Sequence, residues 1–203
     1  YVWVDALTNY ITTLGYPDEN AEKFKKYWPC DLHLVGKEIV RFHVIIWPAI
    51  LMALNLPLPK QVFAHGWLIV NGDKISKSLG NYKDPREYID KYGVDAIRYF
   101  ALKAVSFGND GNFSEEALVS TINADLANNF GNLVNRTLTM VKKYFNNEVP
   151  KPDKIESIDN DLIISLNLLK ENVTNKMNQY HVSEAVEEIL SVLKKCNKYI
   201  DDT

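Results

Sequence analysis

Short apolar runs alternate with helix-like stretches through the first half of the chain. Residues 1–4 and 31–36 each predict a buried strand, and the second of these ends at a glycine. Residues 38–54 then predict a helix. Residues 62–70, followed by Asn71-Gly72, predict a strand pair and a tight turn, because Asn-Gly supplies the positive φ values that such turns need. Strands and helices in this order predict an α/β layer with a parallel sheet, in which ligands bind beyond the carboxyl ends of the strands.

From Ser114 onward the pattern becomes purely helical. Ser114 stands before two glutamates, as a helix N-cap with acidic residues in the first turn. Apolar residues then recur three and four apart up to Phe145 and form one stripe. A linker over residues 146–154 precedes two more amphipathic runs, at residues 162–177 and 186–200. Three such stripes joined by short connections predict an antiparallel helix bundle.

The bulk composition is that of an ordinary globular protein, with 46% apolar and 24% charged residues. The most apolar stretch, residues 44–54, is too short for a bilayer span and contains a proline, so it predicts a core segment and no membrane association. A net charge of −3 argues against a protein that coats nucleic acid by charge alone. Two distant cysteines are typical of a reducing, cytoplasmic setting. The four histidines do not have the spacing of metal ligands, so we expect no metal site in this chain.

Both ends of the chain look incomplete. The sequence begins inside an apolar run, without an initiating methionine or a signal peptide, and it ends without a residue typical of a helix C-cap. We therefore expect the natural protein to extend in both directions.

A cationic loop is the most informative stretch for function. It follows the predicted strand pair and precedes an Asp-Pro pair at residues 84–85, which is a typical helix start. Lys74 and Lys77, with Ser76 and Ser78, can close on a triphosphate, because ammonium groups neutralise its charge and hydroxyls add hydrogen bonds. The order of these residues is not that of a P-loop. Taken alone, the loop fits a solvated basic hairpin equally well.

The loop and its flanks resemble one protein family. Lys74-Ile75-Ser76-Lys77-Ser78 resembles the KMSKS signature of class I aminoacyl-tRNA synthetases, with isoleucine in the methionine position. Further segments are similar to methionyl-tRNA synthetases in order and spacing, at residues 2–10, 36–43 with 47–48, 65–67 and 128–136. The resemblance covers nearly the whole chain.

The resemblance carries expectations for fold and activity. It implies the second half of a Rossmann-like nucleotide-binding domain at residues 1–113 and a helical-bundle anticodon-binding domain, truncated at its C-terminus, at residues 114–203. The family activates L-methionine with ATP, taken with Mg²⁺, and transfers it to tRNA(Met) for translation. The chain lacks the family's HIGH-like motif and its connective insertion, so any zinc belongs to the missing N-terminal part, and we expect the isolated chain to be inactive. Half a parallel sheet also exposes a strand edge, through which we expect the chain to self-associate.

The resemblance also implies residue roles in ATP binding. Lys77 would be the main catalytic lysine and Lys74 would assist it, through electrostatic stabilisation of the phosphates. The residues that would bind ATP are Gly36, Glu38, Trp67, Leu68, Lys74, Ser76, Lys77 and Ser78. The family more often has Asp in the position of Glu38. Both residues also have a purely structural explanation. Glu38 is an acidic residue at a helix N-terminus, where the helix dipole favours it, and Trp67 is an aromatic residue in a predicted strand, where it is more often part of the core.

Methionine recognition would fall to five residues in the first half of the chain. They are Trp3, Ala6, Tyr10, Ile39 and His43. A thioether packs favourably against aromatic rings, so a pocket with Trp3 and a polar tip from Tyr10 or His43 fits methionine. Taken singly, each of these residues suits a core position better than a ligand position.

Anticodon recognition would fall to Asn132 and Arg136. They lie four residues apart, on one helix face and off the apolar stripe. An amide and a guanidinium can read the Watson–Crick edges of unstacked bases. Periodicity alone would favour two exposed polar residues instead.

Three other interpretations stay open. Another class I synthetase, for isoleucine, leucine, valine or cysteine, would share the lysine loop and a helical anticodon domain. A non-catalytic RNA-binding module derived from a synthetase would keep the helices. A generic nucleotidyltransferase would leave the helix bundle unexplained. Methionine-dependent ATP–pyrophosphate exchange separates all three from the methionine enzyme.

Overall fold

The computed structural model describes residues 2–70, 72–75, 84–104, 108–152 and 154–202, with Lys74 described by its backbone only. The chain divides into two compact units, Tyr1–Trp67 and Leu68–Thr203. The functional division expected between residues 113 and 114 is a different boundary, and it stays a prediction.

The first unit contains a strand–helix–strand layer that follows two helices. Its elements in chain order are α1 (Val2–Thr12), α2 (Glu22–Tyr27), β1 (His33–Gly36), a 3-10 turn (Lys37–Ile39), a π-helical segment (Phe42–Ile46), α3 (Trp47–Ala53) and β2 (Val62–His65). Strands β1 and β2 are parallel neighbours, with His33 opposite Val62 and Gly36 opposite His65. The predicted α/β layer with parallel strands is therefore confirmed for this unit.

The prediction of a strand at residues 1–4 is wrong, because helix α1 begins at Val2. Four residues are too few to separate strand alternation from a helical period. Trp3, Leu7 and Ile11 recur four apart, and Leu7 and Ile11 are each 1% exposed, whereas Val2 is 78% exposed. This helical stripe packs into the core of the unit, which also contains Trp28, Trp47 and Leu51.

The second unit joins a three-stranded sheet to a series of helices. Its elements in chain order are β3 (Leu68–Val70), β4 (Asp73–Lys74), α4 (Pro85–Tyr92), α5 (Val94–Ala104), β5 (Gly111–Phe113), α6 (Glu115–Thr121), a second π-helical segment (Ile122–Gly131), α7 (Asn132–Phe145), α8 (Ser157–Asn178) and α9 (Val182–Asp202). The strand order is β4–β3–β5, in which β4 is antiparallel to β3 and β5 is parallel to it. The run predicted as a strand pair thus contains two strands, β2 and β3, that join different sheets.

Two helices begin at the N-cap residues that the sequence predicts. Asp84 caps α4, and its Oδ1 accepts a hydrogen bond from the Arg86 backbone N–H at 2.9 Å, with Pro85 in the first turn. Ser114 caps α6, and its Oγ accepts from the Ala117 backbone N–H at 3.1 Å. Each cap satisfies a backbone donor that the first helical turn leaves without an intrahelical partner.

Helix α9 is the centre of the packing in the second unit. It contacts α5, the second π-helical segment, α7 and α8, and its buried residues are Ala185, Leu190 and Val192. The apolar stripe predicted for the long helix is only partly buried, because Leu118 is fully buried whereas Leu138 is 64% exposed. Helix α8 packs mainly on α9, which leaves the far end of the stripe accessible.

In the part of the chain that the structure describes, no helix is long and apolar enough to cross a membrane. The same residues contain no group of three or more His, Cys, Asp or Glu side chains that could hold a metal ion.

Candidate functional site

The candidate site starts at the edge where the parallel strands β1 and β2 end. Gly36, the last residue of β1, is the register partner of His65, the last residue of β2. The chain continues into the Lys37–Ile39 turn on one side and into Gly66 and Trp67 on the other. Parallel pairing therefore brings two segments that are distant in sequence to the same sheet edge, where ligands of such sheets bind.

A carboxylate, an indole and an ammonium group meet at this edge. The Trp67 Nε1–H donates to Glu38 Oε2 at 2.7 Å. The Lys37 Nζ lies 4.3 Å from the centre of the Trp67 ring, within range of a cation–π contact. The Glu38 carboxylate folds back over Gly36, since a Cβ added to Gly36 would lie 2.6 Å from Glu38 Oε2. Glycine is needed here for space rather than for backbone conformation, because its φ is −69°.

A second cluster links helix α1 to the helical segment that follows β1. The His43 Nδ1 lies 3.0 Å from the Ile39 carbonyl oxygen, which can only accept, so Nδ1 carries the proton in the neutral ring. His43 Nε2 is then an acceptor, and the Tyr10 hydroxyl, 3.0 Å away, donates to it. Burial and the nearby Cys30 raise the pKa of Tyr10, so it remains a phenol at neutral pH. The pair therefore presents a half-exposed phenol whose orientation is set by a buried imidazole.

Behind this pair lies a second histidine, His33, which the sequence pattern did not indicate as a site residue. The Trp47 Nε1–H donates to His33 Nε2 at 3.1 Å, and the Cys30 Sγ lies 3.5 Å from the same nitrogen. Burial, together with the neighbouring His43, lowers the pKa of His33, so the ring is a neutral acceptor at pH 7. His33 and Trp47 are 14 residues apart on different elements, which is why local patterns did not indicate this contact.

Three of the five residues predicted to bind methionine are joined by the hydrogen bonds just described. Trp3 stacks on Phe42, with ring centres 3.8 Å apart and planes 11° apart, and Phe42 precedes His43 in the chain. Ala6 is exposed on α1, one helical turn from Tyr10. The structure thus joins Tyr10, near the end of α1, to Ile39 and His43 in the segment after β1, while their ligand stays a prediction.

The remaining residues predicted to bind ATP are described only in part. Leu68 begins β3 and is 45% exposed. The backbone of Lys74 forms the end of β4. Ser76, Lys77 and Ser78 lie outside the described residues, so the geometry of the lysine loop stays a prediction.

The predicted anticodon pair lies on α7. Asn132 is the first residue of this helix and is exposed. Arg136, one turn further along the same face, is partly exposed, and its Nη2 lies 2.5 Å from Oδ1 of Asp201 on α9. Asp201 is 65 residues away in sequence, which is why local patterns did not indicate this ion pair.

Polar side chains attach the second π-helical segment to its neighbours. The Asn197 Nδ2 on α9 donates to the backbone oxygen and the side-chain oxygen of Asn129, at 2.9 and 3.0 Å. The Tyr99 hydroxyl on α5 donates to Asp125 Oδ2 at 2.7 Å. The segment that leads into α7 is therefore held from two sides, so the position of Asn132 depends on α5 and α9.

The fold is that of an α/β protein, and the class binds ligands beyond the carboxyl ends of its parallel strands. Gly36, Glu38 and Trp67 lie at that edge. The sequence model of the family described as tRNA synthetases class I (M) matches residues 1–138. The chain belongs to this family.

Curated relatives match the chain over its full length. The methionine–tRNA ligase of Caldanaerobacter subterraneus subsp. tengcongensis is 62% identical to it, and that of Thermotoga maritima is 53% identical. Each match covers 100% of this chain and 32% of the relative. The chain therefore spans about a third of the length of these relatives.

Solved structures show the same likeness in fold. The crystal structure of Mycobacterium tuberculosis methionyl-tRNA synthetase bound by methionyl-adenylate is similar with a TM-score of 0.89 and 46% sequence identity. The match covers 99% of this chain and 39% of that chain. The apo form of the same synthetase is similar with a TM-score of 0.85 and 44% identity.

Proposed function

We propose that this chain is part of a methionine–tRNA ligase, which activates L-methionine with ATP to methionyl-adenylate and transfers it to the 3′ end of tRNA(Met) in translation. Residues 1–113 would be the second half of the Rossmann-type catalytic domain. Residues 114–203 would be an antiparallel helix bundle that binds the anticodon. The observation that carries the proposal is 62% identity with such a ligase along the entire chain, in a fold whose strand edge holds the Glu38–Trp67 pair.

ATP would bind at the carboxyl edge of β1 and β2. The Glu38 carboxylate can accept hydrogen bonds from both ribose hydroxyls, and the absence of a side chain at Gly36 leaves room for that carboxylate. Trp67 and Leu68 would border the adenine. The strand edge would therefore set the position of the nucleoside.

The lysine loop would bind the triphosphate, with Mg²⁺ as the counterion of the ATP substrate. The methionine carboxylate attacks the α-phosphorus, and pyrophosphate leaves. Lys77 and Lys74 would stabilise the charge that develops on the phosphates, while Ser76 and Ser78 would add hydrogen bonds. The protein would do this by positioning and electrostatics, without a covalent intermediate of its own.

Methionine would bind beside Tyr10 and His43. The stack of Trp3 on Phe42 offers aromatic surface, against which a polarizable thioether packs well. Because the Tyr10 hydrogen is directed at His43, the phenol oxygen would meet the ligand as a polar group of fixed orientation. Two further residues would limit the size of the pocket, namely Ala6 and Ile39. A single methyl group contributes about 1–3 kcal/mol to discrimination, so shape alone would reject homocysteine only modestly.

The anticodon of tRNA(Met) would be read from α7. Asn132 and Arg136 share a helix face, and an amide and a guanidinium can read unstacked bases. Arg136 is paired with Asp201 in the free protein, so RNA binding would exchange an ion pair for contacts with bases. The side chains of this pair are 37% and 62% exposed, and such pairs contribute about 0–1 kcal/mol, so the exchange would cost little.

The isolated chain would catalyse neither step by itself, because it lacks a HIGH-like motif and spans about a third of its relatives. A zinc site, where the parent protein has one, would lie outside this chain.

The protein would act in the cytoplasm, where translation takes place. The comparisons do not support self-association of the chain through a strand edge. Sedimentation velocity of the isolated chain tests it, and a single monomer peak would contradict it.

A full-length chimera tests the proposed function. Residues 1–203 replace the matching segment of the Caldanaerobacter ligase, and methionine-dependent ATP–pyrophosphate exchange and charging of tRNA(Met) are measured. We expect both activities to be retained. Exchange driven by isoleucine, leucine, valine or cysteine would indicate another class I synthetase, and tRNA binding without exchange would indicate a non-catalytic RNA-binding module. Either of these results contradicts the proposal.

A further inference from the structure

Glu38 and Trp67 follow the ends of the two parallel strands β1 and β2 at the same distance along the chain. Gly36 and His65 are partners at the ends of β1 and β2, and Glu38 and Trp67 each follow their strand end by two positions. This equal offset places the indole beside the carboxylate, where Nε1–H donates to Oε2 at 2.7 Å. The contact is therefore built into the register of the parallel strands.

We propose that Trp67 is a positioning residue for the Glu38 carboxylate. The inference rests on the proposed function, in which Glu38 accepts hydrogen bonds from the ATP ribose. A glutamate has three rotatable side-chain bonds, and ordering it when the ligand arrives costs conformational entropy. The indole N–H restrains the carboxylate before the nucleotide binds, so less of that cost falls on the binding step.

Two neighbouring residues keep this geometry. The Lys37 Nζ, 4.3 Å from the centre of the Trp67 ring, orients the indole through a cation–π contact. On the other side, a Cβ at Gly36 would lie 2.6 Å from Glu38 Oε2 and 3.0 Å from Oε1, so only glycine leaves space for the carboxylate. The exposed Glu38 side chain thus has the glycine backbone on one side and the indole on the other, which orients its carboxylate for a ligand at the strand edge.

Trp67→Phe in the chimera tests the inference directly. Phenylalanine keeps an aromatic face for Lys37 but removes the N–H donor. We expect the KM for ATP in pyrophosphate exchange to rise several-fold, up to about tenfold, because a flexible glutamate side chain must then be ordered when ATP binds. The KM for methionine and kcat should stay within about twofold, because the lost interaction concerns nucleotide binding alone. Equal changes in both KM values overturn the inference.

Two double-variant comparisons test whether Trp67 acts through Glu38. In the Glu38→Asp background the carboxylate is one methylene shorter and does not reach the indole, so Trp67→Phe should change the KM for ATP by less than about twofold. With 2′-deoxy-ATP, which lacks one of the ribose hydroxyls, the effect of Trp67→Phe should also shrink. If Trp67→Phe raises the KM by the same factor in the Glu38→Asp background and with 2′-deoxy-ATP as it does in the unsubstituted chimera with ATP, the inference is wrong.

Trp28→Phe is the matched control, because Trp28 also donates its Nε1–H, to the Pro57 carbonyl oxygen at 3.0 Å in the same unit. It should lower the free energy of unfolding without changing the KM for ATP. If Trp67→Phe behaves in the same way, Trp67 is purely structural and the inference is wrong. An unsubstituted chimera without exchange contradicts the proposed function instead, so the two failures are distinguishable.

Discussion

The Tyr10 hydroxyl donates to Nε2 of His43, a histidine that is 2% exposed and whose Nδ1–H is bound by the Ile39 carbonyl oxygen. Both ring nitrogens of a buried imidazole are therefore satisfied, one by the backbone and one by a phenol. This arrangement sets the role of Tyr10, because its hydrogen is directed into the protein and its oxygen remains the atom that a ligand can meet.

Tyr10→Phe should weaken methionine binding and lower stability. The buried His43 would lose the donor to its Nε2, which costs about 1–3 kcal/mol of unfolding free energy. In the chimera we expect the KM for methionine to rise about tenfold, with the KM for ATP unchanged. Tyr27→Phe, on the exposed side of α2, is the control and should alter neither value. An unchanged KM for methionine in Tyr10→Phe would show that methionine binds elsewhere.

The stability of the chain should fall as the pH is lowered below the ordinary histidine pKa of 6.5. Burial, followed by the effect of His43, lowers the pKa of His33 in the folded state. Between that lowered pKa and 6.5, the unfolded chain binds more protons than the folded chain, so the free energy of unfolding decreases as the pH falls. Urea unfolding between pH 7 and pH 5 measures the slope.

His33→Gln is the informative variant for this pH dependence. It keeps an acceptor for the Trp47 indole but cannot bind a proton, so it should flatten the slope. His65→Gln, at an exposed position, should leave the slope as it is. Equal slopes in the unsubstituted chain and His33→Gln would assign the pH dependence to other groups.

Gly36→Ala should damage ATP binding while leaving the fold intact. A φ of −69° suits alanine, so the backbone is not strained. The new Cβ would displace the Glu38 carboxylate, which ends a flexible side chain and can move aside at little cost in stability. We expect the KM for ATP in the chimera to rise about tenfold, and the unfolding free energy to change by less than about 1 kcal/mol.

A KM for ATP that stays within about twofold in Gly36→Ala would contradict this prediction. It would mean that the Gly36–Glu38 contact does not govern nucleotide binding.

Arg136→Ala should impair charging of tRNA(Met) and spare adenylate formation. The ion pair with Asp201 is partly exposed, so its loss should lower the unfolding free energy by at most about 1 kcal/mol. In the chimera the KM for tRNA should rise at least tenfold, a change of about 1.4 kcal/mol, with pyrophosphate exchange unchanged. Lys170→Ala on α8 removes a comparable charge and is the control. Equal damage to exchange and charging would contradict a role confined to the anticodon.

Lys77→Ala should abolish most of the adenylate formation without affecting the fold. Electrostatic stabilisation by one positioned cation is worth on the order of 100-fold in rate or more. We expect the exchange rate of the chimera to fall by at least that factor, while the urea unfolding midpoint of the 203-residue chain is unchanged. An unchanged exchange rate would remove Lys77 from the catalytic site.

Short-range signals were the reliable part of the prediction. The caps at Asp84 and Ser114 are confirmed, because a side chain and a backbone donor two or three residues away decide them. The strand–helix–strand order after residue 31 is also confirmed, because the apolar pattern within each short stretch predicts these elements. The strand predicted from the short apolar run at residues 1–4 is wrong, because burial at Leu7 and Ile11 follows the helical period.

The sequence by itself determined the family resemblance, and from it predicted a cationic loop and the residues that would bind ATP, methionine and an anticodon. Only the tertiary structure decided which side chains meet. Glu38 lies 29 residues from Trp67, and Arg136 lies 65 residues from Asp201, so their contacts depend on strand register and on the packing of α9. Composition and periodicity carry no information on such pairs, because a helical or strand period describes the face a residue lies on and not the partner across it.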